Sequence, residues 1–176
     1  MNLKLIKLTE EYKQELAEMI EEWKEDQAKN NTDLSPHAIF REDYHDFDKY
    51  LASLDRKVAT TDRVPSSTYF LLDQDRNRLL GAVNIRHCLN DALKHKGGHI
   101  GDGIRPSERK KGYATEIIRL ALLECKRLGL DKVLMTCDKD NIGSAKSITN
   151  NGGLLDSEFV DERGVVCQRY WIRLED

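Results

Sequence analysis

The sequence lacks any run of about 18 consecutive apolar residues, the length that a membrane-spanning helix needs. From Met1 to Leu8 apolar and polar side chains alternate, and acidic residues follow. The continuous apolar segment of a secretory signal peptide is therefore missing too. These two absences argue against a membrane protein or a membrane partner, and they predict a cytoplasmic location.

Paired cysteines and an excess of positive charge are also missing. The four cysteines lack the spacing of a metal site or a disulfide framework, and each lies in an apolar stretch. We therefore predict no bound metal and reduced core thiols at Cys88, Cys125, Cys137 and Cys167. The formal net charge of -3 argues against a nucleic-acid partner bound by bulk electrostatics, so any anion site must be local.

The remaining composition is that of a globular domain. Hydrophobic residues make up 39% and charged residues 34% of the 176 residues. A chain of this length buries roughly two thirds of the surface that it exposes when unfolded. No internal repeat, low-complexity tract or linker divides it, so we predict a single domain over residues 1–176.

The hydrophobic pattern predicts alternating strands and helices. A short strand, Leu3–Leu8, precedes a helix that Thr9 caps, and a polar loop, Gln27–Glu42, is placed to cover a substrate pocket. The later predicted elements are a helix from Phe47 to Val58, a hairpin of strands Thr68–Leu72 and Leu79–Ile85, a polar link Asn90–Gly98, a central strand Ile100–Ile104, a helix from Ala114 to Leu128 capped by Gly129, a strand Val133–Cys137, a helix Asn141–Asn150, and strands Leu154–Val160 and Val165–Leu174. This order predicts an α/β (mixed α+β) fold, with helices on both faces of a mixed sheet.

The segment Arg105–Thr115 carries the strongest chemical signal. Here a strand ends at a proline, a charged turn follows, and an amphipathic helix begins at Gly112. The first main-chain N–H groups of a helix lack internal acceptors and lie at the positive end of its dipole, which suits a phosphate. Gly112 leaves room for close approach. A diphosphate would also suit the polar side chains around it, Arg109, Lys110, Lys111 and Thr115. A solvated charged turn is the alternative.

Two other nucleotide-binding patterns fail on their context. Gly98, Gly101 and Gly103 lie before and within a strand, whereas the glycines of a dinucleotide fingerprint open a helix. Lys111 lacks the upstream glycine and the following Ser or Thr of a P-loop. A phosphate-binding protein of another α/β class stays open as an alternative.

The stretch Arg109-Lys110-Lys111-Gly112-Tyr113-Ala114 resembles the coenzyme motif of the GNAT superfamily of N-acetyltransferases, which is Arg or Gln, two residues, Gly, one residue, and Gly or Ala. Asn141 and Ser144 open the next helix, as the second coenzyme contact of that family does. The resemblance implies a mostly antiparallel central sheet that is flanked by helices and splayed between its fourth and fifth strands. It also implies acetyl-coenzyme A as the acyl donor, bound by Ile104, Arg109, Lys110, Lys111, Gly112, Tyr113, Ala114, Thr115, Asn141 and Ser144.

The same resemblance implies transfer of the acetyl group to a primary amine of a small molecule or a protein. The catalytic candidates are His99 and Asp102, either of which could accept the amine proton through a water chain. A main-chain N–H near Ile104 could hold the oxyanion. Strand alternation places His99 and Asp102 on opposite faces, so only one of them is expected to reach the substrate. A homodimer would be ordinary for such a domain.

One position departs from the family pattern. Ile148 stands where many relatives have a tyrosine that protonates the departing thiolate. Tyr170 could serve instead, the coenzyme could leave as the thiolate, or the protein could be a non-catalytic, regulatory acyl-coenzyme A binding module. The acceptor stays open, because the acidic residues near the second helix suit either a cationic amine or a solvated helix start. These residues are Glu42, Asp43, Asp46 and Asp48.

Overall fold

The computed structural model describes residues 2–174, which form seven strands and five α-helices. Met1, Glu175 and Asp176, which the predicted 1–176 domain includes, lie outside the described residues. The strands are β1 (Leu3–Ile6), β2 (Ser66–Asp73), β3 (Arg78–Arg86), β4 (Ile100–Ile104), β5 (Lys132–Asp138), β6 (Leu154–Val160) and β7 (Val166–Arg173). The helices are α1 (Lys13–Asn30), α2 (Phe47–Ser53), α3 (Asp91–His95), α4 (Tyr113–Arg127) and α5 (Ile142–Asn150).

The strands form two antiparallel sheets, with the orders β1-β2-β3-β4 and β5-β7-β6. Within residues 2–174, a single β-bridge between Gly98 and Met135 joins them. The predicted α+β architecture and the splay between the fourth and fifth strands are therefore present. Because β4 and β5 belong to different sheets, β4 is an edge strand and not the predicted central strand.

Helices cover both faces of the strands and bury two apolar cores. On the side that we call the α1 face, buried side chains of α1 and α2, which include Leu16, Met19, Trp23 and Tyr50, pack on β2 and β3 residues such as Phe70. On the opposite side, the α4 face, α4 and α5 pack on strands of both sheets through Ile117, Ile118, Ile148, Val83 and Val133. The α4 face thus bridges the two sheets.

Glycines with left-handed backbone lie at both ends of α4. Gly112, the residue before the first helical turn, has φ +87, and Gly129 has φ +80 just after the last turn. At the C-terminal end the Gly129 N–H donates to Lys126 O (2.9 Å) and the Leu130 N–H donates to Cys125 O (3.1 Å). This pair of bonds ends the helix in the way that a glycine permits. The predicted start and end of this helix are confirmed.

Two predicted helix limits were wrong. Thr9 makes no side-chain cap, because a 3-10 turn begins after it and the Tyr12 N–H donates to the main-chain oxygen of Thr9 (3.1 Å). The second helix ends at Ser53, which leaves Val58 outside it and 74% exposed.

Two other local predictions also need correction. The segment Asn90–Gly98 is not only a link, because it contains α3, whose cap forms when Asn90 Oδ1 accepts the Leu93 N–H at 2.9 Å. Cys88 is exposed and Cys137 is only half-buried, so only two of the four thiols lie fully in the core. No helix within residues 2–174 has the length and apolar character to cross a bilayer.

Candidate active site

The gap between β4 and β5 begins where His99 joins the two strands. The His99 N–H donates to Leu134 O (2.8 Å), and the Leu134 N–H donates to His99 Nδ1 (2.9 Å). Beyond these bonds and the adjacent Gly98–Met135 bridge, no ladder pairs β4 with β5 in the described part of the chain. The facing edges of both strands are therefore open.

The main chain of β4 presents part of its polar groups to this gap. The Arg86 N–H donates to His99 O (2.7 Å), and the Arg105 N–H donates to Leu80 O (2.8 Å), which fixes the alternation of the ladder with β3. By that alternation the main-chain groups of Asp102 and Ile104 point away from β3. No residue between 2 and 174 accepts the Ile104 N–H. This donor is available to a ligand.

The turn before α4 leaves a series of main-chain donors free. No residue in the described 2–174 range accepts an N–H from any position between Lys110 and Thr115. Lys110 (φ +61) and Gly112 (φ +87) both have left-handed backbone, which can turn successive N–H groups into an anion-binding concavity. A cavity of about 510 Å³ lies on the side of this turn that faces the start of β1, and its lining residues are Asn2, Leu3, Lys111, Gly112, Tyr113, Glu116 and Arg119.

The cationic side chains of the turn are less available than the sequence predicts. Arg109 Nη1 donates to Asp26 Oδ2 at 2.7 Å, and Arg109 Nε donates to Ile104 O at 3.2 Å. Lys111 Nζ donates to Glu108 Oε2 at 2.9 Å. Burial of Glu108 opposes its ionisation, but hydrogen bonds from Arg76 and Lys111 overcome this and lower its pKa to about 2. Any diphosphate site here thus depends mainly on the main chain.

The second predicted coenzyme contact lies at the start of α5. Asn141 Oδ1 accepts the Ser144 N–H at 3.1 Å, so the asparagine caps the helix. Burial raises the pKa of the Cys137 thiol on β5 to about 11, and the nearby Ser144 side chain opposes this rise. Both predicted residues therefore lie beside the open edge of β5.

His99, the residue before β4, and Asp102, within β4, lie in contrasting environments. The buried His99 ring accepts the Leu134 N–H at Nδ1, so its proton is on Nε2. Burial and then the charge of Arg86 lower the pKa of His99 to about 4. The Asp102 carboxylate has no side-chain partner within residues 2–174, and burial raises its pKa to about 6. Only Asp102 has both a free oxygen and a pKa near neutrality.

The two residues that bear on thiolate protonation are both in the core. Ile148 is fully buried and packs beneath Gly153, where a methyl group would come within 2.5 Å of the Ile148 side chain. Tyr170 is buried on β7, and its hydroxyl donates to Gln168 Oε1 at 2.7 Å. Burial and then the nearby Cys137 raise the pKa of Tyr170.

Sequence reasoning missed the loop contacts on the α1 face of β4. Ser35 Oγ donates to Asp102 O at 2.8 Å, and a methyl group on Gly103 would overlap the main-chain oxygen of Ser35. The only sequence signals were the predicted covering loop Gln27–Glu42 and the alternating glycines of the strand. Gly101 and Gly103 allow the loop to lie directly on β4.

One group of potential metal ligands occurs within residues 2–174: Asp138, Asp161 and Cys167, whose ligand atoms lie within 4.8 Å of one another. Both carboxylates already accept hydrogen bonds from Arg163, at 2.9 Å and 2.7 Å. Asp161 also accepts one from Lys96 at 2.8 Å. Because these cations satisfy the carboxylates, we interpret the group as an ion-pair network that holds the β6–β7 turn.

A family model described as an acetyltransferase (GNAT) domain matches residues 2–153. The chain belongs to the GNAT acetyltransferase family. The predicted GNAT fold is confirmed, as are acetyl transfer and acetyl-coenzyme A as the acyl donor. No curated protein sequence matches this GNAT acetyltransferase.

Several solved structures share the fold of this GNAT acetyltransferase. RimL, a ribosomal L7/L12 alpha-N-protein acetyltransferase in complex with coenzyme A, has a TM-score of 0.69 at 13% identity, over 99% of this chain and 95% of that chain. In that complex coenzyme A is disulfide-linked to a cysteine of RimL. An acetyl transferase from Salmonella typhimurium, which modifies the N-terminal serine of 50S ribosomal subunit protein L7/L12, gives 0.66 at 13% identity, over 99% and 96%. Mutant forms of the spermidine/spermine N-acetyltransferase SpeG from Vibrio cholerae give 0.60 at 18% identity, over 98% and 95%.

Proposed function

We propose that this GNAT acetyltransferase acetylates a primary amine at the gap between β4 and β5. The observation that carries the proposal is the open edge of β4 next to the unpaired N–H groups from Lys110 to Thr115. These donors would hold the coenzyme diphosphate, and Gly112 would let it approach. The Ile104 N–H and the start of α5 at Asn141 would contact the rest of the coenzyme. Acetyl-coenzyme A supplies the activated acetyl thioester.

Asp102 is the proposed proton carrier. An amine must lose a proton to attack a thioester, and a carboxylate with a pKa near 6 can accept that proton near neutral pH. The same pKa lies below the roughly 8.5 of an ordinary thiol, so the protonated Asp102 can return the proton to the departing thiolate. One residue would thus replace the tyrosine that is missing at Ile148. The Ile104 N–H would stabilise the oxyanion.

His99 has a different role in this proposal. Its Nδ1 already accepts the Leu134 N–H, and its low pKa leaves it neutral at physiological pH. A neutral imidazole whose free nitrogen carries a proton is a poor base. We infer that His99 is a positioning residue, which holds β4 and β5 together at the end of the gap.

The fold alone does not specify which kind of amine accepts the acetyl group. RimL acts on a ribosomal protein and SpeG on spermidine or spermine, so relatives of this fold include enzymes for protein amines and for small amines. The non-catalytic alternative, in which acyl-coenzyme A would bind without turnover, was motivated by Ile148; membership of the acetyltransferase family argues against it.

Release of free thiol from acetyl-coenzyme A, measured with a panel of amines, tests the proposal. We expect release above the hydrolysis background with at least one amine, and a loss of kcat of about 10²- to 10⁴-fold in Asp102→Asn. Asp131→Asn, an equivalent change at an exposed aspartate, should retain full activity. Tyr170→Phe should also retain most activity, whereas a large loss there would make Tyr170 the acid. Saturable coenzyme binding with no amine-dependent release would favour the non-catalytic module.

A further inference from the structure

A second cavity, of about 220 Å³, lies on the α1 face and is lined by four arginines. We call it the arginine cavity; its arginines are Arg41, Arg56, Arg63 and Arg86. Ser66 and Asn84, from β2 and β3, also line it, and Asp62 contributes a carboxylate. The arginines come from the chain on either side of α2 and from the end of β3, so the fold gathers them from distant parts of the sequence.

These arginines lack acidic partners. Within residues 2–174 none of the four forms an ion pair, although Lys96, which also lines the cavity, is held by Asp161 at 2.8 Å and by Glu162 at 3.4 Å. Partial desolvation and then the charges of Arg63 and Arg56 lower the pKa of Arg41, although its side chain still reaches solvent. Burial and then the charge of Arg41 lower the pKa of Arg86. The cations therefore repel one another, and a bound anion would relieve that repulsion.

Arg86 connects the cavity to the active-site gap. Its Nη1 donates to Gly97 O (3.1 Å) and Gly98 O (3.0 Å), immediately before β4. Its guanidinium also lies over Gly101, where Nη2 would be 3.7 Å from a methyl group. Gly101 is next to Asp102 in sequence. The cavity therefore adjoins β4 beside the end of the gap that His99 closes.

We propose that the arginine cavity binds the anionic group, a carboxylate or a phosphate, of the amine acceptor. This inference rests on the proposed function, and it narrows the acceptors to amines that also carry an acidic group. A polycation such as spermidine would meet four arginines that form no ion pair within residues 2–174. Two of the four acidic residues near α2 that might have suited it are engaged elsewhere, since Glu42 binds Lys49 at 2.8 Å and Asp46 caps α2.

Matched acceptors test the charge preference. We would compare O-phosphoethanolamine with ethanolamine, and seryl-alanine with seryl-alaninamide, with spermidine as the cationic case. The wild-type enzyme should prefer the anionic member of a pair by roughly 10- to 100-fold in kcat/KM, as expected for a charge-assisted hydrogen bond. A larger preference in the ethanolamine pair would identify the anionic group as a phosphate, and a larger preference in the seryl-alanine pair would identify it as a carboxylate. A preference for spermidine, or no preference in either pair, overturns the inference.

Variants of the cavity identify where the preference arises. Arg41→Gln and Arg63→Gln should raise KM for the preferred anionic acceptor about 10-fold or more, with kcat and the neutral acceptor little changed. Arg127→Gln, which removes an arginine at the far end of α4, should change neither. An unchanged KM in both cavity variants would contradict the assignment.

Binding without acetyl-coenzyme A separates this inference from the proposed reaction. Calorimetric titration of the enzyme with O-phosphoethanolamine and with inorganic phosphate should show saturable binding, and Arg41→Gln should weaken it. If no amine is acetylated but this binding persists, the proposed function fails and the anion site stands. If amines are acetylated but neither anion binds, the anion site fails and the proposed function stands.

Discussion

The turn at Gly112 offers a sharp test of how this enzyme binds its coenzyme. Gly112 has φ +87, and no atom lies within 4 Å of the position that a Cβ would take. Gly112→Ala therefore meets no packing clash, but it forces alanine into left-handed backbone at a cost of roughly 1–2 kcal/mol. In a chain of this size that cost lowers the melting temperature by about 2–8 °C.

The new methyl group should also obstruct the coenzyme, because the main-chain N–H groups on both sides of Gly112 are the proposed donors to the diphosphate. Loss of one charge-assisted hydrogen bond, about 1.5–3 kcal/mol, raises the Kd roughly 10- to 100-fold. Coenzyme A at a hundred times the wild-type Kd stabilises the wild-type enzyme by about 2.7 kcal/mol. At that concentration it should stabilise Gly112→Ala by only about 0.4–1.4 kcal/mol.

Gly129→Ala is the matched control. Gly129 has φ +80, no atom lies within 4 Å of its missing Cβ, and it lies at the opposite end of α4. Thermal unfolding without ligand should show similar losses for both variants, whereas coenzyme A should fully stabilise only Gly129→Ala. Calorimetric titration gives the two Kd values directly. Full coenzyme-induced stabilisation of Gly112→Ala would refute main-chain binding of the diphosphate at this turn.

Three further predictions concern the gap. Burial raises the pKa of Asp102 in the folded state to about 6, whereas its pKa in the unfolded chain is near 4. Ionisation of Asp102 therefore destabilises the folded state as the pH rises from about 4 through 6. Asp102→Asn should raise the free energy of unfolding by about 1–3 kcal/mol at pH 7 but hardly at all at pH 4. Equal effects at both pH values would show that burial of the charge is not the cause. The pKa of His99 in the folded state is lowered to about 4, so the free energy of unfolding of the wild type should fall by about 3 kcal/mol as the pH drops from 6.5 to 4. His99→Asn should still fold and should lack this part of the acid sensitivity. Cys137 should exchange with oxidised coenzyme A disulfide, forming an enzyme–coenzyme mixed disulfide and releasing one coenzyme thiolate. Because burial raises its pKa to about 11, the reaction should accelerate with pH. Because Cys88 is exposed, mass spectrometry would compare Cys88→Ser with Cys88→Ser/Cys137→Ser, and labelling that persists in the double variant would place the coenzyme thiol elsewhere.

Local features of the coenzyme turn could be predicted from the sequence. The three- and four-residue spacing of apolar side chains specifies α4, and a glycine before its first turn suits a left-handed residue there. Asn141 likewise predicts the start of α5, since an asparagine readily accepts an N–H of the first turn. The order of strands and helices predicted helices on both faces of a sheet, whereas the antiparallel pairing and the splay between the fourth and fifth strands came from the resemblance to the GNAT family. The short α3 was missed because five residues show no helical periodicity, although Asn90 is an ordinary cap.

Long-range pairing of polar groups could not be predicted. Arg109 looks like a phosphate ligand in the sequence, but Asp26, which is distant along the chain, holds its guanidinium in the structure. Nothing near His99 in the sequence indicates that Leu134 occupies its Nδ1. The arginine cavity likewise depends on three-dimensional assembly. The cytoplasmic location, the homodimer and the single-domain organisation over residues 1–176 stay predictions.

The alternation of β4 explains how one short strand can serve both substrates. On the α1 face, Gly101 and Gly103 have no side chains, so Arg86 and the loop at Ser35 lie directly against the strand. On the α4 face, Asp102 stands beside the proposed path of the coenzyme, while the Ile104 N–H points edge-on into the gap between the two faces. Because strand side chains alternate strictly, a one-residue insertion in β4 would exchange these roles. The order of residues in this strand, more than their number or type, therefore specifies the proposed site.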